Sequence, residues 1–258
     1  MNQGSKSHII ELLDKGTRLD GRGPLDYRKP ITVSVDITKS AEGSAKVEIG
    51  GTVVLAGVKM EVSTPYPDTP DEGGLMVNTE LVPLSNPEFE MGPPGIQAIE
   101  LSRVVDRGIR ESKAVDNKKL CIEVGEKVWT VIIDIIPLND EGNLFDASAL
   151  AALAALKNTK LPKLKEDMSV DYKEKTEEGL PLNKEPVSVT VCKIGKHFIV
   201  DPITEEEAVI DSRLTVATDE KGLLVAMQKG GESPVSEEDL AKMLDIGVEK
   251  CDELRKAL

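Results

Sequence analysis

Ile31-Thr32-Val33-Ser34-Val35-Asp36-Ile37-Thr38, and after it Ser44-Ala45-Lys46-Val47-Glu48-Ile49-Gly50-Gly51-Thr52-Val53-Val54-Leu55-Ala56-Gly57-Val58, decide the fold. The first run alternates apolar and polar residues, the period-two pattern of a half-buried strand over 31–38. The second places two apolar runs, 44–49 and 52–62, on either side of Gly50-Gly51, which is a hairpin signal. A sheet that begins this way is antiparallel, because parallel neighbours need a long crossover between them.

Outward from this hairpin the same alphabet recurs. Upstream, residues 4–15 predict a short helix with Ile9, Ile10, Leu12 and Leu13, ended by Gly16. A charged turn follows, Arg18-Leu19-Asp20-Gly21-Arg22. Downstream, a strand is predicted over 75–84 and a helix over 96–113, the latter introduced by Pro93-Pro94-Gly95. Leu120–Val124 and Val128–Leu138 make a second hairpin around Gly125-Glu126-Lys127, and Asp146–Leu156 is a tightly buried Ala/Leu helix. The Lys-, Glu- and Pro-rich stretch 158–186 reads as an exposed connection. Strands are expected at 187–194, 197–201, 208–217 and 223–228, then a helix from the N-cap Ser236 to Leu258. The class is α+β: mainly antiparallel sheets with helices packed on them, in a strands-then-helix rhythm that occurs more than once.

At 258 residues the chain is long enough for one large domain or two small ones. Only 3% of its residues are aromatic, so aliphatic side chains fill the core. No apolar run nears the roughly 20 residues a membrane helix needs. The polar segment Met1 to His8 argues against a secretory signal. Cys121, Cys192 and Cys251 are scattered and odd in number, which suits a reducing cytoplasm; with His8 and His197 they have no metal-ligand spacing. The net charge of −14 opposes free binding to nucleic acid, although an acidic chain can carry a local basic stripe.

Three features can carry chemistry. Arg103, Arg107 and Arg110 are spaced i, i+4 and i+7, which puts them on one helical face. Arginine grips phosphate in a bidentate manner, but Glu100, Asp106 and Glu111 lie close enough in sequence to neutralise this face as salt bridges. The stretch Asp134–Asp146 joins a buried strand to a helix start; its turn offers acidic and apolar side chains and no cation, so an anion site is not expected there. Asp146 is expected to cap the helix or complement its dipole. Asp201-Pro202-Ile203-Thr204-Glu205-Glu206-Glu207 is a carboxylate cluster, either a simple acidic turn or a candidate for Mg²⁺ or general acid–base work. No P-loop, dinucleotide fingerprint, nucleophile elbow or zinc motif occurs.

Taken in order, several segments carry a family resemblance. Arg18-Leu19-Asp20-Gly21-Arg22 with Tyr27-Arg28, and Gly43-Ser44-Ala45 before Gly51–Val58, resemble the start of RNase PH family proteins. Gly92-Pro93-Pro94-Gly95 with Ala98–Ser112, Asp140–Ser148 and Asp201–Glu207 are similar to the non-catalytic RNase PH-type subunit of the archaeal exosome. The match runs from about residue 5 to 255. It implies an RNase PH-like fold (ribosomal protein S5 domain 2-like) with two related βα-rich halves: one subunit over 1–258, a first half at 28–160 and a second at 185–258.

It also implies a setting. Three such subunits would alternate with three catalytic RNase PH-type subunits in a hexameric ring beneath a cap of S1- or KH-type RNA-binding subunits. Single-stranded RNA would thread the channel and be shortened from its 3′ end by phosphate. Active members carry Gly-Thr-Arg and a small residue before the buried helix, where this chain has Gly142-Asn143-Leu144-Phe145. They place Asp where this chain has Glu207. The expectation is therefore no catalytic residue, no metal and no cofactor in this chain. Arg103 and Arg107, with Arg110 less firmly placed, are expected to hold the RNA backbone at the partner's site. Arg18 and Arg22 are expected to order the N-terminal turn or a subunit contact. The alternatives are an independently active phosphate-dependent 3′-to-5′ exoribonuclease and a non-nuclease RNA-binding module on an S5-like fold.

Overall fold

The computed structural model describes residues 3–165 and 168–258. Residues 1 and 2, in the polar N-terminal segment, and 166 and 167, in the expected connection, lie outside the described residues. The chain opens with α1 (Gln3–Asp14), then runs through β1 (Ile31–Val35), β2 (Gly43–Ile49), β3 (Thr52–Ser63) and β4 (Gly74–Thr79). Next come α2 (Ile96–Glu111), a short 3-10 turn (Asn117–Leu120), β5 (Cys121–Glu123), β6 (Lys127–Asn139) and α3 (Leu144–Asn158). The second half holds β9 (Val187–Ile194), β10 (His197–Val200), α4 (Thr204–Glu207), β11 (Ser212–Thr218), β12 (Leu224–Gly230) and α5 (Glu237–Arg255). Between the halves, β7 (Lys160–Leu164) and β8 (Val170–Gly179) pair as a ribbon, so part of the stretch 158–186 is a hairpin.

The first sheet has the order β1-β2-β3-β6-β4, with β5 added to β6. Its hairpin closes at Gly50-Gly51 with Ile49 opposite Thr52. Every pairing is antiparallel except β4 on β6. That parallel pair forms because β6 is reached from β4 only after α2, a crossover long enough to reverse direction. The second sheet, β10-β9-β11-β12, is wholly antiparallel.

Three strands differ most from their sequence limits, among them the one expected over 75–84, which ends at Thr79. The strand expected over 31–38 stops at Val35, because Asp36 takes φ 58°; Val35 and Ile37 are left exposed. The strand expected over 208–217 begins only at Ser212, since Thr204–Glu207 form a turn of helix first.

Helix α3 is the pivot of the packing. Residues Asp146 to Leu156 are all buried, and the helix touches β2 and β3 on one side and β9 on the other. Its small alanines permit this close approach from two sheets. Leu150, Leu153 and Leu156 fill the space between, each contributing roughly 1.5–3 kcal/mol by burial. Helix α2 spans the same seam, meeting β4, α3 and β12. At Gly108 an added Cβ would lie 3.2 Å from Ser188 Oγ, so the helix sits tight on the second sheet. Helix α1 docks Ile9 and Leu13 against Ile194, Ile199 and Val209 of the second half, although it is first in sequence.

Candidate nucleic-acid interface and its neighbouring pocket

Helix α2 buries Ala98, Leu101, Val104, Val105, Gly108 and Ile109, a stripe at helical spacing that turns the opposite face to solvent. Arg103, Arg107 and Arg110 stand on that outer face, and all three are exposed. The structure divides them. Arg110 forms a fork with Asp106 at 2.9 and 2.7 Å and donates to Leu75 O at 2.9 Å. The hydrogen bonds it donates to Asp106 raise its pKa above the ordinary arginine value. Among the described residues, Arg103 and Arg107 make neither a salt bridge nor a hydrogen bond. Glu100, the sequence neighbour that might have neutralised them, is bound to Arg213 of β11 instead. The salt-bridged reading of this face thus holds for Arg110 alone.

Beside α2 lies a cavity of about 250 Å³, lined by Glu100, Asp140, Leu144, Phe145, Glu207 and Arg213 among others. The turn Gly142–Asn143 forms its floor. Gly142 has φ 93° and a Cβ there would collide with Pro202 O; Asn143 takes φ 60°. Two hydrogen bonds to Gly142 O hold the turn, from Thr52 Oγ1 at 2.6 Å and from Arg28 at 3.0 Å. The backbone N–H of Asn143 points to Glu207 Oε1 at 2.8 Å. Burial pushes the Glu207 carboxyl up to about 7, against the lowering effect of that amide.

From spacing alone this turn showed no cation, and here the structure corrects the expectation. Folding brings up two arginines from distant sequence, Arg28 and Arg213. Both are already committed. Arg28 binds Asp201 at 2.8 Å and the Glu141 carbonyl at 2.6 Å. Arg213 binds Glu100, with its guanidinium 4.8 Å above the Phe145 ring. An anion entering the cavity would meet Asp140, Glu207 and the apolar Leu144 and Phe145. Neither arginine was detectable by periodicity: Arg28 lies in an irregular segment between Pro24 and Pro30, and Arg213 is a lone charge in a buried strand.

The carboxylate cluster after β10 does not act as one group. Asp201 is fully buried and accepts from Arg28, from Arg22 at 3.0 Å and from Asn143 Nδ2 at 2.9 Å. Glu206 is paired with Arg18, both side chains fully buried. Glu205 and Glu207 are both exposed residues, Glu207 at the cavity wall with its carboxyl turned to the Asn143 amide. Among the described residues no group of His, Cys, Asp or Glu is placed to hold a metal ion. Arg18 and Arg22 serve contacts within the chain, fixing the N-terminal turn to the second half.

Asp146 lies in the first turn of α3, where a carboxylate complements the helix dipole as expected, but the capping alternative fails. It is no cap: the N-cap is Asn143, whose side chain makes no capping bond. Asp146 accepts from Tyr27 Oη at 2.8 Å, from the Thr190 amide at 2.7 Å and from Asn143 Nδ2 at 3.2 Å. It therefore ties the N-terminal segment, α3 and β9 together. Burial raises its pKa to about 7, opposed by those three bonds.

Two sheets share one buried helix, with a glycine turn beside the arginine-bearing helix α2, an α+β arrangement. Residues 28–162 match the 3′ exoribonuclease family, domain 1, and residues 184–250 match its domain 2. The chain belongs to this 3′ exoribonuclease family.

It is 48% identical over 250 residues to the exosome complex component Rrp42 of Methanosarcina acetivorans, covering 97% of this chain and 91% of that one. It is 49% identical to the Archaeoglobus fulgidus protein of the same name, with 97% and 94% covered. Among solved structures it superposes on a chain of the Archaeoglobus fulgidus exosome with RNA bound to the active site. The TM-score is 0.90 and the identity 48%, with 98% of this chain and 97% of that chain covered. A chain described as an archaeal exosome core gives TM-score 0.86 at 45% identity, with 98% and 96% covered. No helix of the described residues is long and apolar enough to cross a membrane.

Proposed function

We propose that this chain is the non-catalytic RNase PH-type subunit of an archaeal-type RNA exosome. It holds RNA for 3′-to-5′ phosphorolytic degradation at a site completed by a catalytic sister subunit. Three copies of each alternate in a hexameric ring in the cytoplasm, with S1- or KH-type subunits as the cap. One observation carries the reading: Arg103 and Arg107 are free and exposed on the helix that borders a pocket whose lining arginine, Arg213, is already paired with Glu100. Cations without partners bind the RNA backbone, while a pocket with unbalanced carboxylates repels the attacking phosphate. The two relatives and the two exosome structures named above support the assembly.

Independent activity is favoured by one feature, the near-neutral Glu207 carboxyl, which has the acidity suited to a general acid. Its bond to the Asn143 amide and the lack of a free cation oppose that reading. A phosphate-dependent RNA degradation assay separates the two. This chain alone is expected to be inactive, and a mixture with the sister subunit is expected to degrade RNA faster than the sister alone. Robust degradation by the isolated chain would overturn the proposal.

A further inference from the structure

The cavity beside α2 is unsuited to phosphate, and the atoms that line it describe the opposite kind of ligand. Three carboxylates, from Glu100, Asp140 and Glu207, face one guanidinium, that of Arg213. Arg213 is paired with Glu100, so Asp140 and Glu207 have no cation of their own among the lining residues. Asp140 accepts from Gly142 N at 2.9 Å and from Asn86 Nδ2 at 3.0 Å. Glu207 accepts from the Asn143 amide through one oxygen, which leaves the other open among the described residues. A second observation is independent of charge. Asn143 is only 1% exposed; its side-chain nitrogen donates to Asp146 and Asp201, while its side-chain oxygen has no hydrogen-bond partner. A buried acceptor left open is costly and uncommon, and it marks a place where a donor belongs. The three acceptors converge on one turn, since Asp140 and Asn143 belong to it and Glu207 is hydrogen-bonded to it. The rest of the wall is apolar, with Leu101, Leu144, Phe145 and Ile210. The volume of about 250 Å³ has room for roughly eight waters.

We propose that this cavity binds a short aliphatic amine, its ammonium group held by Glu207, Asp140 and the side-chain oxygen of Asn143, its carbon chain lying along Leu144 and Phe145. An alkylammonium carries three N–H donors and no acceptor, which matches three acceptors around one turn. It is charged at neutral pH, as a lysine side chain is. Its carbon chain suits the apolar wall, and a few placed polar groups within apolar lining are the usual make-up of a small-molecule pocket. Among the described residues no group is placed to hold a metal ion. Phosphate would face carboxylates of its own sign. The state of Glu207 agrees with a missing cation. Burial and the charge of Asp140 hold its carboxyl up at about 7, against the Asn143 amide, Arg213 and Arg28. An ammonium ion beside it favours the ionised form, so binding near neutral pH expels part of a proton. The site lies within this one chain and does not depend on the ring.

Isothermal titration calorimetry of the full chain with 1,4-diaminobutane, in buffers of differing ionisation enthalpy at a pH of about 7, is the test. Saturable binding is expected, with release of roughly half a proton. Asp140→Asn with Glu207→Gln is expected to weaken binding by about tenfold or more and to abolish the proton release. Glu207→Gln alone, which keeps the size of the side chain, is expected to abolish the proton release and weaken binding to a lesser degree. Thermal melting verifies the fold of each variant. Glu123→Gln with Glu126→Gln removes the same charge at exposed positions outside the cavity and is expected to change neither quantity. Absence of binding would overturn the proposal. Equal weakening by both pairs would overturn it too, since it would reveal only the general attraction of a chain with net charge −14. Binding without proton release would place the amine away from Glu207, and saturable binding of inorganic phosphate in place of the diamine would make the cavity an anion site; either result refutes the assignment.

Discussion

At the scale of single residues, the distinction that matters is between arginines with and without a partner. A guanidinium already forked onto a carboxylate gains little from phosphate, because it must first give up that bond. Arg110, held by Asp106, is in that position, whereas Arg103 and Arg107 are not. In the assembled ring, Arg103→Ala and Arg107→Ala are each expected to lower the log–log salt slope of single-stranded RNA binding by about 0.7. Arg110→Ala is expected to leave the slope nearly unchanged. Arg103→Glu with Arg107→Glu should weaken degradation while the ring persists. Fluorescence anisotropy over a salt series measures the first two effects, and equal slopes for all three alanine variants would contradict the division. Sequence spacing put the three arginines on one face, but it carried no information on which of them Asp106 would claim. That depended on side-chain geometry, and on Arg213 removing Glu100 from the competition.

At the scale of elements, the turn leading into α3 and the short helix α4 act as one unit through Glu207. A carboxyl whose folded pKa lies near 7, above its unfolded value near 4.5, binds its proton more tightly in the native state. Its contribution to stability is full below about 4.5 and is lost as pH rises through about 7. Glu207→Gln has no proton to lose. The variant is therefore expected to gain stability relative to the unaltered chain between about pH 4.5 and 7, with the difference level above that. Urea unfolding at pH 5 and pH 8 reads this directly; a difference independent of pH would refute the near-neutral carboxyl.

The elements themselves were readable to different degrees. The Gly50-Gly51 hairpin, α2, α3 and the N-cap at Ser236 follow from local chemistry, and the structure contains each of them. The parallel pairing of β4 with β6 has no local cause, since it is decided by where α2 returns the chain. The cluster at Asp201–Glu207 looked like one acidic group because its members are adjacent in sequence. The φ of 50° at Asp201 and the helical turn that follows send them to separate partners.

At the scale of the whole molecule, the N-terminal segment is fastened to the far half. Arg18 to Glu206, Arg22 and Arg28 to Asp201, and Tyr27 to Asp146 are all long-range ties, three of them to the second half and one to α3. The Arg18–Glu206 pair is wholly desolvated, so removing one member strands a buried charge. Arg18→Met is expected to destabilise the chain by about 3–5 kcal/mol, and Arg18→Met with Glu206→Leu to recover much of the loss. Denaturant midpoints of the two variants check this; equal destabilisation would show that the desolvated charge is not the cause.

That fastening also orders events at the ribosome. Arg18 and Arg28 emerge first, but Glu206 and Asp201 are translated only after about two hundred residues have passed. Early domains normally fold as they emerge. Here Tyr27 and Arg28 can find Asp146 and the Gly142 turn once α3 has emerged, but the ties of Arg18 and Arg22 wait for the second half. A chain released early would trail a loose N-terminal arm, an accessible mark by which proteolysis distinguishes the incomplete product from the finished one.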